Sequence, residues 1–414
     1  MLKPSPRLQP SYYEAFRCVG SVCEDTCCSG WRVPVDKETF EKYQCCSHAT
    51  LGPKLQSLVT LNPSAEGEDN WAEIQLTQGV CGFLADGWCE IQSTLGADLL
   101  SKNCATYPRV MTSVEGLIER SLDLSCPEAA RLALTNPEPI RFVTATDADD
   151  ARLGTLGVVD TSNAKHPDKP FHYVHEVRSL MIALLQNRGY PLSQRLLVLG
   201  RLCDKLESEG TGRGCAGLQD ISRQAAPIHP RPSMAPNLRF ETVVELILAR
   251  IGSDATSRRF LNCYQSFMSG LHWTMESTME QLTANLEASF AGPFAAFRAQ
   301  HGYMLEHYLV TYVFRTLFPF GSASLNRKLA EYAFPHSISA QYQLIVVDFI
   351  VIEALLAGAA AFYGEAFGVP EALTVIQSAT KTFEHSLSYP GKALELLAQK
   401  GLTDCASMSK LIRD

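Results

Sequence analysis

The first third of the chain concentrates cysteine, the residue type best suited to soft-metal and redox chemistry. Ten of the fourteen cysteines lie within the first 126 of the 414 residues. Eight of these ten fall into two groups, which are Cys18, Cys23, Cys27 and Cys28, followed by Cys81, Cys89, Cys104 and Cys126. Thiols grouped in this way bind zinc, bind an iron–sulfur cluster or pair as disulfides.

The spacing of these cysteines separates the three possibilities only in part. Structural zinc sites usually carry paired CxxC knuckles, whereas the first group reads CxxxxC followed by CxxxCC. Iron–sulfur proteins tolerate varied spacing. Cys23, Cys27 and Cys28 match part of the radical S-adenosylmethionine signature CxxxCxxC, but no cysteine stands at position 30. Adjacent side chains point in different directions, so we expect only one of Cys27 and Cys28 to face a given metal.

Composition and charge limit the kinds of binding partner and the cellular compartment that we expect. The formal net charge of −8 gives no attraction to phosphate backbones, so nucleic acid is not an expected partner. The N-terminal segment shows no apolar run of the signal-peptide kind. We therefore expect a reducing cytoplasm, where disulfides are disfavoured and metal ligation gains weight. The other cysteines are predicted to be small buried hydrophobic residues, namely Cys45, Cys46, Cys203, Cys215, Cys263 and Cys405.

Hydrophobic patterning divides the chain into two domains joined by a linker. Residues 1–143 carry short helix and strand signals broken by Gly and Pro, and residues 144–170 have the composition of a linker. From 171 to 414, apolar residues recur at helical spacing, which predicts an all-α domain. Strand-like alternation is scarce, and GTLGVVD at 154–160 is only a weak match to a dinucleotide-binding turn. The predicted fold is mainly α, with a loop-rich cysteine domain that would ligate a metal or a metal cluster, followed by the all-α domain, and with no Rossmann fold.

The most apolar stretch, 344–363, is about long enough to span a bilayer. It contains Asp348 and Glu353, and charges at mid-membrane are costly. We therefore predict a buried helix of a bundle and no membrane span. A buried carboxylate needs a pocket, an arginine or a tyrosine hydroxyl beside it. Arg298 and Arg315 are the candidate arginines.

Several motifs resemble those of the flagellin lysine-N-methylase family, FliB. They are YYEAFRCVGSVCEDTCCSGWRVPVD, CGFLADGWCEIQ, LGADLLSKNCATYPR and SLDLSCPEAARL, with NRGYPLSQRLLVLGRLCDKLE and LEHYLVTYVFRTLFPFG downstream. The resemblance runs over nearly the whole chain, and the cysteine order with GW and YPR is its most specific element. The first half is also similar to a broader class of CxxCxxCC-type domains described as zinc or iron chelators.

The resemblance implies methyl transfer from S-adenosylmethionine to surface lysines of flagellin, with a [4Fe–4S] cluster required. It places cluster ligation on the eight grouped cysteines, without specifying which four bind or whether the cluster is structural or catalytic. Zinc is the alternative metal. Two other functions stay open, which are an iron–sulfur redox or electron-transfer protein and a zinc-stabilised binding module without catalysis. The sequence carries no signal for target lysines or for an oligomeric state.

Methylation of lysine requires the neutral amine, and deprotonation at pH 7 costs about 4 kcal/mol for a pKa near 10.4. A carboxylate or a tyrosine can accept the proton or orient the amine. Tyr308 and Tyr312 are four residues apart on one predicted helix face, and Glu306 lies on the same helix. We predict that these three residues are catalytic and contribute to the substrate or cofactor pocket. His172 and His175 are interpreted as ordinary surface or helix-start residues.

Overall fold

The computed structural model describes residues 6–65, 67–145, 157–159, 170–210, 234–252, 256–321 and 337–413. Within these ranges the chain is mainly helical, as predicted, and its sheets are small. The described strands, in chain order, are β1 (Arg7–Pro10), β2 (Val33–Val35), β3 (Val59–Leu61), β4 (Ala72–Ile74), β5 (Leu76–Thr77), β6 (Val80–Cys81), β7 (Leu84–Ala85), β8 (Trp88–Cys89), β9 (Arg109–Val114), β10 (Leu117–Leu122), β11 (Phe142–Ala145) and β12 (Gly157–Val159). The described α-helices are α1 (Lys37–Gln44), α2 (Leu51–Leu58), α3 (Lys102–Thr106), α4 (Pro127–Leu134), α5 (Val174–Leu185), α6 (Leu192–Glu209), α7 (Pro236–Ile251), α8 (Arg258–Gly270), α9 (Met279–Ala291), α10 (Pro293–His301), α11 (Tyr303–Arg315), α12 (Ile338–Tyr363), α13 (Val369–Phe383), α14 (Tyr389–Gln399) and α15 (Cys405–Met408).

The largest sheet has the strand order β11-β1-β10-β9-β12. β1 runs parallel to β10 and β12 runs parallel to β9, while the other neighbours are antiparallel. Glu115 and Gly116 form the turn between β9 and β10, both with positive φ (50° and 77°), which suits a tight hairpin. β12 lies inside the predicted linker, 144–170, so this segment adds an edge strand to the sheet. This mixed sheet is not the parallel, doubly wound sheet of a Rossmann fold, and the described residues agree with the prediction on this point.

A second, smaller core lies under the cysteine loops. The three-stranded sheet β2-β4-β3 and the helices α1 and α2 enclose fully buried side chains, namely Val35, Tyr43, Leu55 and Phe83. Asp36 caps α1 by accepting from the Thr39 N–H at 3.0 Å, and it also accepts from the Lys102 N–H at 2.9 Å. This one carboxylate therefore joins the start of α1 to the start of α3, which carries Cys104.

The helical part has one continuous core around α12. This helix is the predicted apolar segment, and 94% of its most apolar window is buried. Its length and composition alone would allow it to cross a membrane, but burial against α6, α8 and α13 is what a bundle helix requires. α8 approaches α12 closely at two glycines, since a Cβ on Gly270 would lie 2.0 Å from the Gly358 carbonyl oxygen.

Two helical segments differ in detail from the sequence pattern. The run from 293 to 318 forms two helices, α10 and α11, which meet at Gly302. A Cβ at that glycine would lie 2.6 Å from the Arg298 carbonyl oxygen, so the tight junction requires a residue without a side chain. The amphipathic run near 275–290 becomes helical only at Met279, because Thr278 and Gln281 form a capping box there.

Candidate functional site

Short turns and element ends position the eight grouped cysteines. Cys18 and Cys23 flank the turn Gly20–Val22, and Cys27 and Cys28 lie in the loop before β2. The second group is found in β6 (Cys81), β8 (Cys89), α3 (Cys104) and at the N-cap of α4 (Cys126). Gly20 has a φ of 61°, and the Trp88 ring lies 2.4 Å from where a Cβ would be, so only glycine fits this turn. No disulfide joins the described cysteines, as a metal-ligating role requires.

Three thiols form a hydrogen-bonded chain between the two groups. The Cys27 and Cys81 thiols donate to the Cys28 sulfur, and the Cys81 N–H donates to the Cys28 carbonyl oxygen at 2.7 Å. The hydrogen bonds from Cys27 and Cys81 lower the pKa of Cys28, and the nearby Lys381 ammonium lowers it further. The donors respond in the opposite sense, since the pKa values of Cys27 and Cys81 are raised. Cys28 is thereby favoured as a thiolate, the form that binds metals.

A cavity of about 380 Å³ opens beside these thiols. Five of the eight cysteines line it, namely Cys18, Cys23, Cys27, Cys104 and Cys126. The remaining three, Cys28, Cys81 and Cys89, pack with Cys104 against the small core of α1 and α2. The structure therefore brings all eight predicted ligands into one neighbourhood, and Cys104 belongs to both the cavity wall and the core.

The grouped thiols have the donor chemistry of a soft-metal centre. Four sulfurs at about 2.3 Å from one zinc must lie within about 4 Å of one another. Across the part of the chain that the structure describes, no three His, Cys, Asp or Glu side chains are grouped closely enough to hold one ion. A [4Fe–4S] cluster takes one thiolate on each of four irons, so its ligands surround a wider space. Thiolates ligate both zinc and iron–sulfur clusters, so the grouped cysteines fit either.

Burial makes most of the other grouped thiols weak acids. It raises the pKa of Cys104 and of Cys126 to about 12, and it also raises the pKa of Cys23 and of Cys89. These thiols therefore carry protons at neutral pH in the metal-free chain. A metal bound by them would have to displace those protons.

Helix α13 fixes the first cysteine loop against the helical part. The Lys381 ammonium donates to Asp25 Oδ1 at 2.8 Å and to the Thr26 carbonyl oxygen at 3.3 Å. Gln377 Nε2 donates to Asp25 Oδ2 at 2.9 Å. The Asp25 and Lys381 side chains are only 9% and 4% exposed. The position of the loop that carries Cys23, Cys27 and Cys28 therefore depends on a helix more than 300 residues downstream.

A polar cluster beside this loop joins residues that are distant in the sequence. His385 Nε2 lies 3.3 Å from Asp123 Oδ1, and Arg315 donates to Asp123 Oδ2 at 3.2 Å. Arg315 also pairs with Glu384, which accepts a hydrogen bond from the Tyr308 hydroxyl at 3.0 Å. Burial by itself would raise the pKa of Asp123, but Arg315 and His385 hold it well below its usual range. Asp123 is therefore ionised at neutral pH.

Trp31 connects this polar cluster to the cysteines. Its ring centroid lies 5.1 Å from that of His385 and 5.2 Å from that of Tyr107. Its indole Nε1 donates to the Cys27 carbonyl oxygen at 2.8 Å, and Tyr107 lines the cysteine cavity. Sequence reasoning missed His385 and Asp123 because 262 positions separate them. The available signals were the GW and YPR motifs, which contain Trp31 and Tyr107.

The structure places Glu306 apart from the contacts of the two predicted tyrosines. The Glu306 side chain is 1% exposed and accepts hydrogen bonds from Arg188 at 2.8 Å and from Arg195 at 2.7 Å. Burial opposes its ionisation, but these two arginines lower its pKa. Tyr308 and Tyr312 share one helix face, as predicted, with ring centroids 6.3 Å apart. Burial raises the pKa of both hydroxyls, so each can act as a hydrogen-bond donor, and the catalytic role of the three residues stays a prediction.

The two carboxyl groups of α12 have different surroundings. Glu353 pairs with Arg298, its candidate partner, at 3.4 Å, and burial raises the pKa of Glu353 to about 6. Arg315, the other candidate arginine, pairs with Asp123 and Glu384 and with neither carboxyl group of α12. Within the described ranges Asp348 forms no hydrogen bond or ion pair. Burial raises the pKa of Asp348 to about 7, against the opposing charge of Arg315.

The cysteines outside the two groups behave largely as small core residues. Cys203, Cys263 and Cys405 are buried, as predicted, and Cys46 is partly buried. The predicted burial of Cys45 is wrong, because this residue follows the last turn of α1 and its side chain is exposed. Cys215 lies outside the described residues.

Comparison with known proteins identifies the family to which the chain belongs. Residues 178–411 match the FliB lysine N-methylase C-terminal domain. The flagellar biosynthetic protein FliU of Salmonella muenchen is 35% identical over 133 residues, which cover 31% of this chain and 78% of that protein. No solved structure matches the chain.

Two relatives named lysine-N-methylase are also similar. Those of Salmonella typhimurium strain LT2 and Salmonella choleraesuis are 35% and 34% identical, each over 133 residues. These residues make up 31% of this chain and 33% of each relative, so the match spans about a third of their length. The domain match covers more than half of the chain and includes α11 to α14, which hold the polar cluster together with Asp123. The chain belongs to the FliB lysine N-methylase family.

Proposed function

We propose that the chain is a cytoplasmic protein-lysine N-methyltransferase that transfers a methyl group from S-adenosylmethionine to lysine side chains of flagellin, with a [4Fe–4S] cluster required. Membership of the FliB family and the relatives named lysine-N-methylase and flagellar biosynthetic protein support the reaction and the substrate. The flagellin substrate, the methyl donor and the cluster are the parts of this proposal that need direct tests.

The observation that carries the proposal is the gathering of reduced thiols around one cavity next to a buried acidic cluster. Any four of the grouped cysteines that face the cavity could hold the cluster, and Cys104 and Cys126 lie on its wall. When bound, a cluster would supply either a rigid support for these loops or an iron that positions the methyl donor. Beside His385, the two carboxylates Asp123 and Glu384 outnumber the one cation, Arg315, so the chain itself gives this place a net negative charge. An excess of carboxylates favours the binding of a cationic lysine or sulfonium group.

The reaction is tested with purified protein, flagellin and methyl-labelled S-adenosylmethionine, followed by mass spectrometry of the lysines. The expected result is label on flagellin lysines, with none when the methyl donor is omitted. Flagellin carrying no label under anaerobic conditions, with the cluster present, would contradict the proposed reaction.

Metal content is tested on anaerobically purified protein, for which we expect about four irons per chain and broad visible absorption. Cys104→Ser and Cys23→Ser should lose the iron. Cys263→Ser is the matched control, because its thiol is buried under α13 beside the Ser378 hydroxyl at 3.3 Å and is not among the residues that line the cavity. One zinc and no iron would remove the cluster from the proposal, and unchanged iron in the first two variants would show that the ligand set is wrong.

A further inference from the structure

The polar cluster contains a histidine held by a carboxylate in the geometry of a catalytic base. His385 Nε2 lies 3.3 Å from Asp123 Oδ1. An ionised carboxylate only accepts hydrogen bonds, so Nε2 must carry the proton and donate it to Asp123. Nδ1 is then the nitrogen with a free lone pair, and it has no hydrogen-bond partner among the described residues. A base oriented by a carboxylate is the arrangement that activates nucleophiles in many enzymes.

The orientation of this imidazole is fixed from several sides. The Trp31 ring packs against it at 5.1 Å between centroids. Trp31 is itself held by its hydrogen bond to the Cys27 carbonyl oxygen and by the Lys381 ammonium, 4.8 Å from the ring centre. Asp123 is held in turn by Arg315 and by the Ser125 N–H at 2.9 Å. A side chain so positioned presents the same nitrogen to any incoming group.

His385 is also accessible, unlike the other members of the cluster. Its side chain is 33% exposed, whereas those of Asp123 and Arg315 are 8% and 13% exposed. The imidazole therefore forms the solvent-facing end of a chain of contacts that runs inward through Asp123 and Arg315 to Glu384 and Tyr308. His385 is therefore the member of the polar cluster that a lysine side chain from another protein could approach from solvent.

The charges around the imidazole suit a cationic substrate and a cationic intermediate. The charged groups near it are Asp123 from the β10–α4 loop, Arg315 from α11, and Glu384 and Lys381 from the α13 segment. Lys381 is neutralised by Asp25, so Asp123 and Glu384 leave one net negative charge after pairing with Arg315. This charge attracts an ammonium group, and Asp123 stabilises an imidazolium once it forms.

From this geometry we propose that His385, positioned by Asp123, is the general base that deprotonates the substrate lysine. The inference rests on the proposed methyl transfer and names the proton acceptor for it. A proton passes from the lysine ammonium to Nδ1, which leaves a neutral amine and an imidazolium paired with Asp123. The amine lone pair then forms a bond to the sulfonium methyl carbon, the sulfur–methyl bond breaks with its electrons going to sulfur, and the products are a methylammonium and a thioether. His385 releases its proton to solvent before the next turnover.

The test compares the pH dependence of flagellin methylation by the cluster-containing wild type and by His385→Asn, with labelled S-adenosylmethionine as donor. At pH 7 the variant should be slower by about 100-fold, the lower end of what a general base contributes. Its rate should still increase about tenfold per pH unit up to pH 9, since free lysine then deprotonates without help, while the wild-type rate levels off. Exogenous imidazole should restore part of the activity of His385→Ala.

Folding and metal content are measured on the same samples, and both should match those of the wild type. His272→Asn, which changes an exposed histidine at positive φ in the α8–α9 connection, is the matched control and should keep the wild-type rate and pH profile. An active wild type with a His385→Asn rate within threefold of it overturns this inference alone. A slow variant with an unchanged pH profile and no imidazole rescue also overturns it, because that pattern is structural. A wild type that labels no lysine overturns the proposed function, and this inference with it.

Discussion

The cysteine-rich part and the helical part of the molecule are stabilised in different ways. In the cysteine-rich part the strands have two to six residues, and the buried side chains form small separate clusters. In the helical part a 26-residue helix lies at the centre of one continuous core. The cysteine-rich part is thus stabilised by contacts between residues that are distant in the sequence. The helical part is stabilised mainly by the burial of helix faces.

This difference shows why the candidate site lies where the two parts meet. The cysteine loops are short and cannot fix side chains on their own, so α13 and α11 hold them through buried ion pairs at Asp25 and Asp123. A second buried pair, between Glu119 of β10 and Arg178 of α5, fastens the large sheet to the helices. The helical part therefore acts as the rigid support for the cysteine loops.

The largest expected effect comes from removing the pair between the sheet and α5. Arg178 donates to both oxygens of Glu119, at 2.9 and 2.8 Å, and the two side chains are 3% and 4% exposed. Glu119→Ala leaves a buried guanidinium whose remaining acceptor is the Phe314 carbonyl oxygen. We expect a loss of about 3–5 kcal/mol of unfolding free energy, measured by urea denaturation. Glu68→Ala, which breaks an exposed pair with Lys37, is the control and should leave the midpoint unchanged.

The pair between Glu119 and Arg178 also determines the direction in which the stability of the protein changes with pH. Burial opposes ionisation of Glu119, but hydrogen bonds from His175 and Arg178 outweigh it and lower its pKa. A carboxylate with a lowered pKa contributes stability above its unfolded value, near 4.3, and that stability is lost as the pH falls through the folded value. The wild type should therefore lose more stability than Glu119→Ala on acidification below about pH 4. Equal losses in the two proteins would show that the sheet is not fastened by this charge.

A somewhat smaller effect is expected where two helices touch inside the helical part. A Cβ on Gly270 would lie 2.0 Å from the Gly358 carbonyl oxygen and 2.9 Å from the Phe362 nitrogen, and backbone atoms cannot rotate away. Gly270→Ala should therefore cost about 2–3 kcal/mol, seen as a lower thermal midpoint. Gly391→Ala in α14 is the matched control, since a Cβ there meets nothing within 4 Å. It should raise stability by about 0.5–1 kcal/mol, and a similar loss in both variants would mean that α8 and α12 are not closely packed.

The helical part could be predicted from sequence because its signals are local. The apolar stretch 344–363 predicts α12, and the four-residue spacing of Tyr308 and Tyr312 places them on one face. The partner of Glu353 was also foreseeable, because a buried carboxylate requires a cation and Arg298 lies on a neighbouring predicted helix. His175 shows the limit of local reasoning, since its contact with Glu119 at 3.4 Å depends on sheet packing rather than on its place at a helix start.

The candidate site could be predicted only as a set of residue types. The concentration and order of the grouped cysteines predict that they are ligands, but no spacing rule separates those on the cavity wall from Cys28, Cys81 and Cys89 in the small core. The His385–Asp123 pair and the two arginines on Glu306 arise from long-range packing. Such contacts depend on how the cysteine-rich part packs against the helical part. This packing produces no periodic pattern in the sequence of either part.

The smallest expected effect comes from Asp348, one of the two carboxyl groups of α12. Burial raises the pKa of Asp348 to about 7, whereas an aspartate in the unfolded chain titrates near 3.9. The folded state therefore holds the proton more tightly between these values, and stability falls as the pH rises through 7. Asp348→Asn stays neutral, so it should stabilise the protein more at pH 8 than at pH 5, by about 1–2 kcal/mol. This difference is smaller than a slope of about 1.36 kcal/mol per pH unit would give, because the Asp348 side chain keeps some solvent contact. Asp86→Asn, exposed on the turn before β8 with a φ of 50°, is the control and should shift the thermal midpoint equally at both pH values. A pH-independent effect of Asp348→Asn would mean that α12 tolerates this carboxylate in its ionised form. A pH-dependent effect would mean that ionisation of Asp348 destabilises the core around α12, so the packing of this helix does not account for the presence of an acid.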